Sequence, residues 1–272
     1  MSPTIATRNH VNVSGHGPET ILFAHGFGCD QNMWRFVAPA FENEYRTVLF
    51  DYVGSGKSDT SAYNDQRYRR LEGYAQDLID ICQELQLQDL IFVGHSVSCI
   101  IGMLAAKQHP HLFKTLILIG PSPCYINHPP HYHGGFNRED LQGLLHMMDK
   151  NRMGWASFLA PVVMKNPDQP ELTQELEQSF CAIHPKIARQ FAETTFFSDN
   201  RADLAHVALN LPILILQCSD DSIAPLEVGQ YLHRELPGST LKILQATGHC
   251  PHLSHPQETI QHIEDYLNTT SR

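Results

Sequence analysis

The stretch "LIFVGHSVSC", residues 90–99, decides how this chain is read. Leu90 to Val93 form a short apolar run that reads as a buried strand. The residues after Ser96, "VSCIIGMLAAKQHP" (97–110), read as a nearly all-apolar, buried helix. A serine at the sharp turn between such a strand and such a helix is held out at the top of a sheet, the setting of a nucleophile elbow. Strand and helix pass close there, so the first and fifth positions of the G-x-S-x-G pattern must be small. Gly94 fits, and Ser98 is a small departure from the usual glycine. The plainer reading is a turn serine that caps a helix.

A serine hydroxyl needs a base to take its proton, and the base needs a group to orient it. With this elbow the chain order is serine, acid, histidine. "LPILILQCSDDSIAP" (211–225) places Asp220 and Asp221 just past an apolar run, and strand context alone leaves both open. "LQATGHCPHLSHP" (244–256) supplies His249 after the last run. "AHGFGCD" (24–30) follows the first core-like run. The backbone N–H groups of Phe27 and of Val97, the residue after the serine, are the expected oxyanion donors.

His249, His252 and His255 are spaced by three, but Pro251 interrupts them and no H-E-x-x-H motif is present. His128, His131 and His133 read as loop residues. No metal and no cofactor are expected. "DYVGSGKSD" (51–59) resembles a phosphate-binding loop, yet a Walker A motif would need glycine where Asp51 stands. Gly54 and Gly56 are expected to turn the chain instead.

Working outward, "TILFAH" (20–25), "RTVLFD" (46–51), "DLIFVG" (89–94), "TLILIG" (115–120), "PILILQC" (212–218) and "LKILQA" (241–246) are each apolar on both faces, as in a parallel sheet covered by helices. Leu71, Tyr74, Leu78, Ile81 and Leu85 recur at helical spacing, and "ETIQHIEDYLN" (258–268) closes the chain as an amphipathic helix. This alternation predicts an α/β fold. It breaks between 124 and 205, where "NREDLQGLLHMMDK" and "PELTQELEQSF" are helix-like and Asn137 with Asp140 makes a near capping box. The expected division is a core of residues 1–123 and 206–272 with a helical lid, 124–205, inserted between two strands.

The chain has 272 residues, enough for one such domain with an insertion, and a formal charge of −10. That acidity argues against nucleic acid or an anionic membrane as main partner. No basic-then-apolar leader opens the sequence and no run of about 18 apolar residues occurs. Seven irregularly spaced cysteines with no C-x-x-C pair read as reduced, cytoplasmic core residues. A monomer is expected.

"HGFG", "GHSVS", "CSDDSIAP" and "GHCPH", in that order, make the sequence similar to the α/β-hydrolase superfamily over almost its full length. "GHSVSCIIGMLAA", "IGPSPCYIN", "HYHGGF", "MGWASFLAPVVM" and "ARQFAETTFFSDNRADL" resemble more narrowly the RsbQ-like regulators of the sigma-B stress response, and more distantly the karrikin and strigolactone receptors. The resemblance implies a mostly parallel eight-stranded sheet under a four-helix lid, with an apolar pocket for a small hydrophobic ligand. It implies Ser96 as nucleophile, His249 as base and, through D-x-x-x-P, Asp221 as the acid with Asp220 the alternative. Phe27, Val97, Phe136, Trp155, Phe158, Phe196 and Ala224 are the implied pocket wall. It further implies slow hydrolysis coupled to a PAS-domain phosphatase. A free-standing esterase or lactonase, and a binding module with a vestigial triad, remain as alternatives.

Overall fold

The computed structural model describes residues 4–207 and 211–270. Residues 1–3, 208–210 and 271–272, which fall within the expected core segments, lie outside the described residues. Seven strands form one sheet: β1 (Asn12–Ser14), β2 (Glu19–Ala24), β3 (Tyr45–Leu49), β4 (Leu90–His95), β5 (Phe113–Ile119), β6 (Ile213–Asp220) and β7 (Thr240–Thr247). Their order is β1-β3-β2-β4-β5-β6-β7, and every pairing except β1 with β3 is parallel.

Alternate residues of the central strands serve two cores. Leu22, Phe92, Leu116 and Ile215 face α2 (Leu71–Glu84), α3 (Val97–Gln108) and α8 (Leu226–Glu235). Phe23, Val93, Ile117 and Leu216 face Trp34, Phe41 and α10 (Pro256–Thr270). All six residues of β4 are buried, as its continuous apolar run requires.

Two expectations need correction. The described sheet has seven strands, not eight. Residues Ile5–Arg8 form a helical turn, α1, capped by Thr4, and the Glu84 carboxylate accepts the N–H groups of Ile5 (2.7 Å) and Ala6 (2.8 Å). Only Asn12–Ser14 is left to pair with β3. Nor is β7 buried on both faces. It is an edge strand, and Ile243 is 45% exposed.

Between β5 and β6 the described residues form four α-helices, α4 (Arg138–Lys150), α5 (Arg152–Met164), α6 (Pro170–Ala182) and α7 (Pro185–Phe196). Asn137 and Asp140 make the full capping box at the start of α4. Leu145, Leu159, Leu176 and Ala192 belong to a third apolar cluster, set over the carboxyl ends of the strands. The GSGKS loop is a structural turn: Gly54 and Gly56 have φ of +97° and +52°. The Asp51 carboxylate accepts the N–H groups of Gln31 and Lys57, both at 2.9 Å, and so occupies the place a phosphate cradle would need.

Candidate active site

Ser96 sits between β4 and α3 with φ +57° and ψ −122°, a combination rarely held by a non-glycine residue. Its N–H donates to Ile119 O on β5 at 2.8 Å, so the sheet itself holds the strained turn. Gly94 is required by close approach: a Cβ there would lie 2.9 Å from Ser98 C and 3.0 Å from Cys99 N. Ser98 does more than stay small. Its hydroxyl donates to His25 O at 2.5 Å and meets the Tyr52 hydroxyl at 2.9 Å, tying the elbow to the loops after β2 and β3. Val97 opens α3, where helix geometry leaves its N–H without an intrahelical acceptor. The Gly26–Phe27 turn passes beside the serine, since a Cβ on Gly26 would lie 3.4 Å from Ser96 Cβ.

Asp221 and His249 arrive from the ends of β6 and β7. Asp221 Oδ1 accepts the N–H groups of Ile223 (2.8 Å) and Ala224 (3.0 Å), which fixes the carboxylate plane. Its Oδ2 lies 2.7 Å from His249 Nδ1, and His249 Nε2 lies 2.8 Å from Ser96 Oγ. An ionised carboxylate can only accept, so Nδ1–H donates to it and Nε2 is free to accept the serine proton. Asp220 points away. It is exposed and pairs with Lys165 Nζ at 2.6 Å. All three triad residues are buried.

The histidine loop is held from two sides. His249 N–H donates to Val163 O, in the last turn of α5, at 2.8 Å. Asn166, just past α5, donates through Nδ2 to Thr247 O at 3.1 Å. On the other side, His95 Nε2 lies 2.7 Å from His249 O, and the contact requires Nε2–H as donor. Burial, reinforced by His252 and His249, pushes the His95 imidazole well below its ordinary pKa. Burial, then His249 and Arg35, pushes His252 down to about 3. Both therefore stay neutral beside the triad.

A narrow cavity of about 30 Å³ opens on Ser96 and His249. Phe27 and Phe196 are in its wall; the other implied wall residues are not. Phe158 is 52% exposed on the outer face of α5. One residue on, Leu159 turns inward and joins Val163, Leu176, Phe180 and Ile223 around the cavity. Trp155 is buried one layer back, its ring 5.1 Å from that of Phe180. Phe136 packs partly buried against the same cluster. Ala224 and Val97 act through their backbones, as described. Sequence reading also missed Tyr125, whose hydroxyl lies 3.3 Å from Ser96 Oγ, and Cys29 and Cys250 in the wall. The spacing Trp155–Leu159–Val163 on one helical face was the available signal. A wider polar cleft of about 980 Å³, between Arg69 and Arg189, shares no residue with this cavity.

A parallel sheet with a strained serine after one strand, and an acid and a histidine after two later ones, defines the α/β hydrolases. The chain belongs to the α/β-hydrolase fold family, whose model matches residues 19–256. It is 38% identical to karrikin insensitive 2 receptor CA of Petunia hybrida, over 93% of each chain. It is 35% identical to strigolactone esterase RMS3 of Pisum sativum, over 98% of this chain and 100% of that one. The solved hydrolase from Oleispira antarctica is similar, with 44% identity and a TM-score of 0.94, over 97% of this chain and 96% of that one. No described helix is long and apolar enough to cross a membrane.

Proposed function

We propose that the chain is a serine hydrolase that slowly cleaves, and holds, a small hydrophobic ester or lactone. The observation that carries this is the continuous hydrogen-bonded line from Ser96 through His249 to Asp221, opening on an apolar cavity. In this reading His249 takes the Ser96 proton as Oγ attacks the substrate carbonyl. The N–H groups of Phe27 and Val97 receive the developing oxyanion, and Asp221 stabilises the imidazolium. His249 then gives its proton to the leaving oxygen, and water repeats the sequence to release the acid.

The cavity is far below the roughly 300–1,000 Å³ of an ordinary ligand pocket. Substrate entry therefore requires the cavity to widen, in this reading by movement of the α5, α6 and α7 wall, which favours slow turnover over rapid metabolic flux. The relatives named as a karrikin receptor and a strigolactone esterase support a signalling role. The RsbQ-like phrases support activation of a PAS-domain phosphatase in cytoplasmic stress signalling. A free-standing carboxylesterase or lactonase is the alternative.

Fluorophosphonate labelling with peptide mapping tests the chemistry: the adduct belongs on Ser96, and labelling elsewhere with Ser96 untouched overturns it. A stress-reporter strain carrying wild type or Ser96→Ala tests the coupling. Loss of signal with Ser96→Ala supports it. If wild type neither signals nor binds such a phosphatase, the esterase reading takes its place.

A further inference from the structure

We infer that Cys124, His128 and Asp199 form a binding site for a divalent metal ion of the zinc class, where the chain leaves the sheet for α4 and returns from α7. Cys124 lies on the outgoing segment and Asp199 on the returning one. The two meet in an isolated antiparallel bridge, and Asn200 N–H donates to Pro123 O at 2.8 Å. The loop after Cys124 folds back through a bridge between His128 and Tyr132 and brings the His128 imidazole over the crossing.

Three donor atoms converge. Cys124 Sγ lies 3.7 Å from His128 Nε2, and His128 Nε2 lies 4.0 Å from Asp199 Oδ2. All three atoms are within 4.8 Å of one another. A tetrahedral zinc ion with Zn–S of about 2.3 Å and Zn–N of about 2.0 Å sets its sulfur and nitrogen donors about 3.5 Å apart. The observed spacing thus needs shifts of less than about 1 Å to close on an ion. Thiolate, imidazole and carboxylate together select zinc or a similar transition metal over calcium or magnesium. Three protein ligands leave a fourth position for water. Cys124 forms the buried wall of the site, and the half-exposed His128 and Asp199 leave an entry path.

Arg201 already binds both oxygens of Asp199, at 2.6 and 2.8 Å. A carboxylate offers about four lone-pair sites, so Oδ2 can keep the guanidinium and still bind an ion, with Arg201 orienting it from outside. On coordination the Cys124 thiol gives its proton to solvent. The competing reading is a metal-free crossing in which Arg201 alone satisfies Asp199. The histidine spacings in the sequence could not reveal this group, because Asp199 is 71 residues from His128 in the chain.

The experiment is cobalt titration of chelator-stripped protein, read by absorption. One equivalent of Co²⁺ is expected to give a thiolate-to-cobalt charge-transfer band and intense tetrahedral d–d bands, both erased by Zn²⁺. Cys124→Ser should lose the charge-transfer band, whereas Cys181→Ser, at the exposed cysteine, should keep it. His128→Ala, a change at a half-exposed loop residue that should not impair folding, should weaken cobalt binding at least tenfold. A hundredfold excess of Zn²⁺ over its Kd should raise the wild-type Tm by about 5 °C and that of His128→Ala by no more than about half as much. Absence of a thiolate band in wild type, its survival in Cys124→Ser, or an equal Tm response in wild type and His128→Ala overturns the site.

Discussion

The elbow and the helices α5, α6 and α7 face the same cavity, but they are specified in different ways. At the elbow the backbone dictates the residue. Position 94 must be glycine because a Cβ there would lie about 3 Å from the helix backbone, and Ser96 is held at positive φ by the hydrogen bond its N–H donates to the sheet. On the helices the backbone is regular and tolerant, and what matters is which side faces in. A step of one residue on α5 exchanges a wall position, Leu159, for an exposed one, Phe158. Chemistry is therefore fixed by sharp local constraint, and the shape of the cavity by rotation about a helix axis.

The sharpest test of this contrast removes the elbow's hydroxyl. Ser96→Ala should lower p-nitrophenyl acetate turnover by about 10⁴–10⁶-fold, since triad members act as a unit, while the Tm stays close to wild type. A residual rate within tenfold of wild type would mean that another nucleophile does the work. Two adjacent aspartates give the next largest effect. Asp221→Asn should cost about 10⁴-fold in kcat by disturbing the histidine tautomer. Asp220→Asn, which loses only an exposed pair with Lys165, should stay within a few-fold. The reverse ranking in folded proteins would reassign the acid.

The helical side is tested by a pair of charges. Leu159→Asp buries a carboxylate and should lower stability by about 3–5 kcal/mol, seen as a fall in urea midpoint. Phe158→Asp should change it by about 0.5 kcal/mol or less, because that position faces solvent. Equal effects would erase the distinction between the two faces of α5.

Acid probes the buried imidazoles behind the triad. His95 and His252 are pushed below their ordinary range, so under pH 6.5 the unfolded chain takes up protons that the folded chain refuses. Their stabilising contribution is complete above about 6.5 and is lost as pH falls, by up to about 1.4 kcal/mol per pH unit for each. For His252 the loss stops near pH 3. Thermal melts at pH 7.5 and 5.5 should show the drop, and His252→Leu should flatten it. A modest effect is expected of Asn166→Ala. Loss of its bond to Thr247 O should cost about 1 kcal/mol in stability and a few-fold in kcat, measured by thermal melts and steady-state kinetics.

The sequence was most legible where a residue type is forced. The six apolar runs all fall on strands, and Ser96, Asp221 and His249 meet as the motif order requires. It was least legible where the outcome depends on a competition between elements. Residues 5–8 form a helical turn whose first two amides, Ile5 and Ala6, are met by a distant carboxylate, Glu84. The wall of the cavity was carried over from the resemblance, whereas helical spacing leads from Trp155 to Leu159 and Val163. Tyr125 reaches the triad only through folding, and His95, although it sits inside the elbow motif, meets His249 O only once the chain has folded.

The bond from His249 N–H to Val163 O makes one amide proton a gauge of the whole assembly. That proton can exchange with solvent deuterium only when the end of α5 lifts from the histidine loop. Its exchange rate, read by NMR, thus counts how often the end of α5 and the histidine loop part, in the absence of any ligand. It also means that α4–α7 are not an interchangeable cassette. A graft from a relative would have to reproduce the direction of a single carbonyl as well as the apolar wall, or the general base would lose its footing.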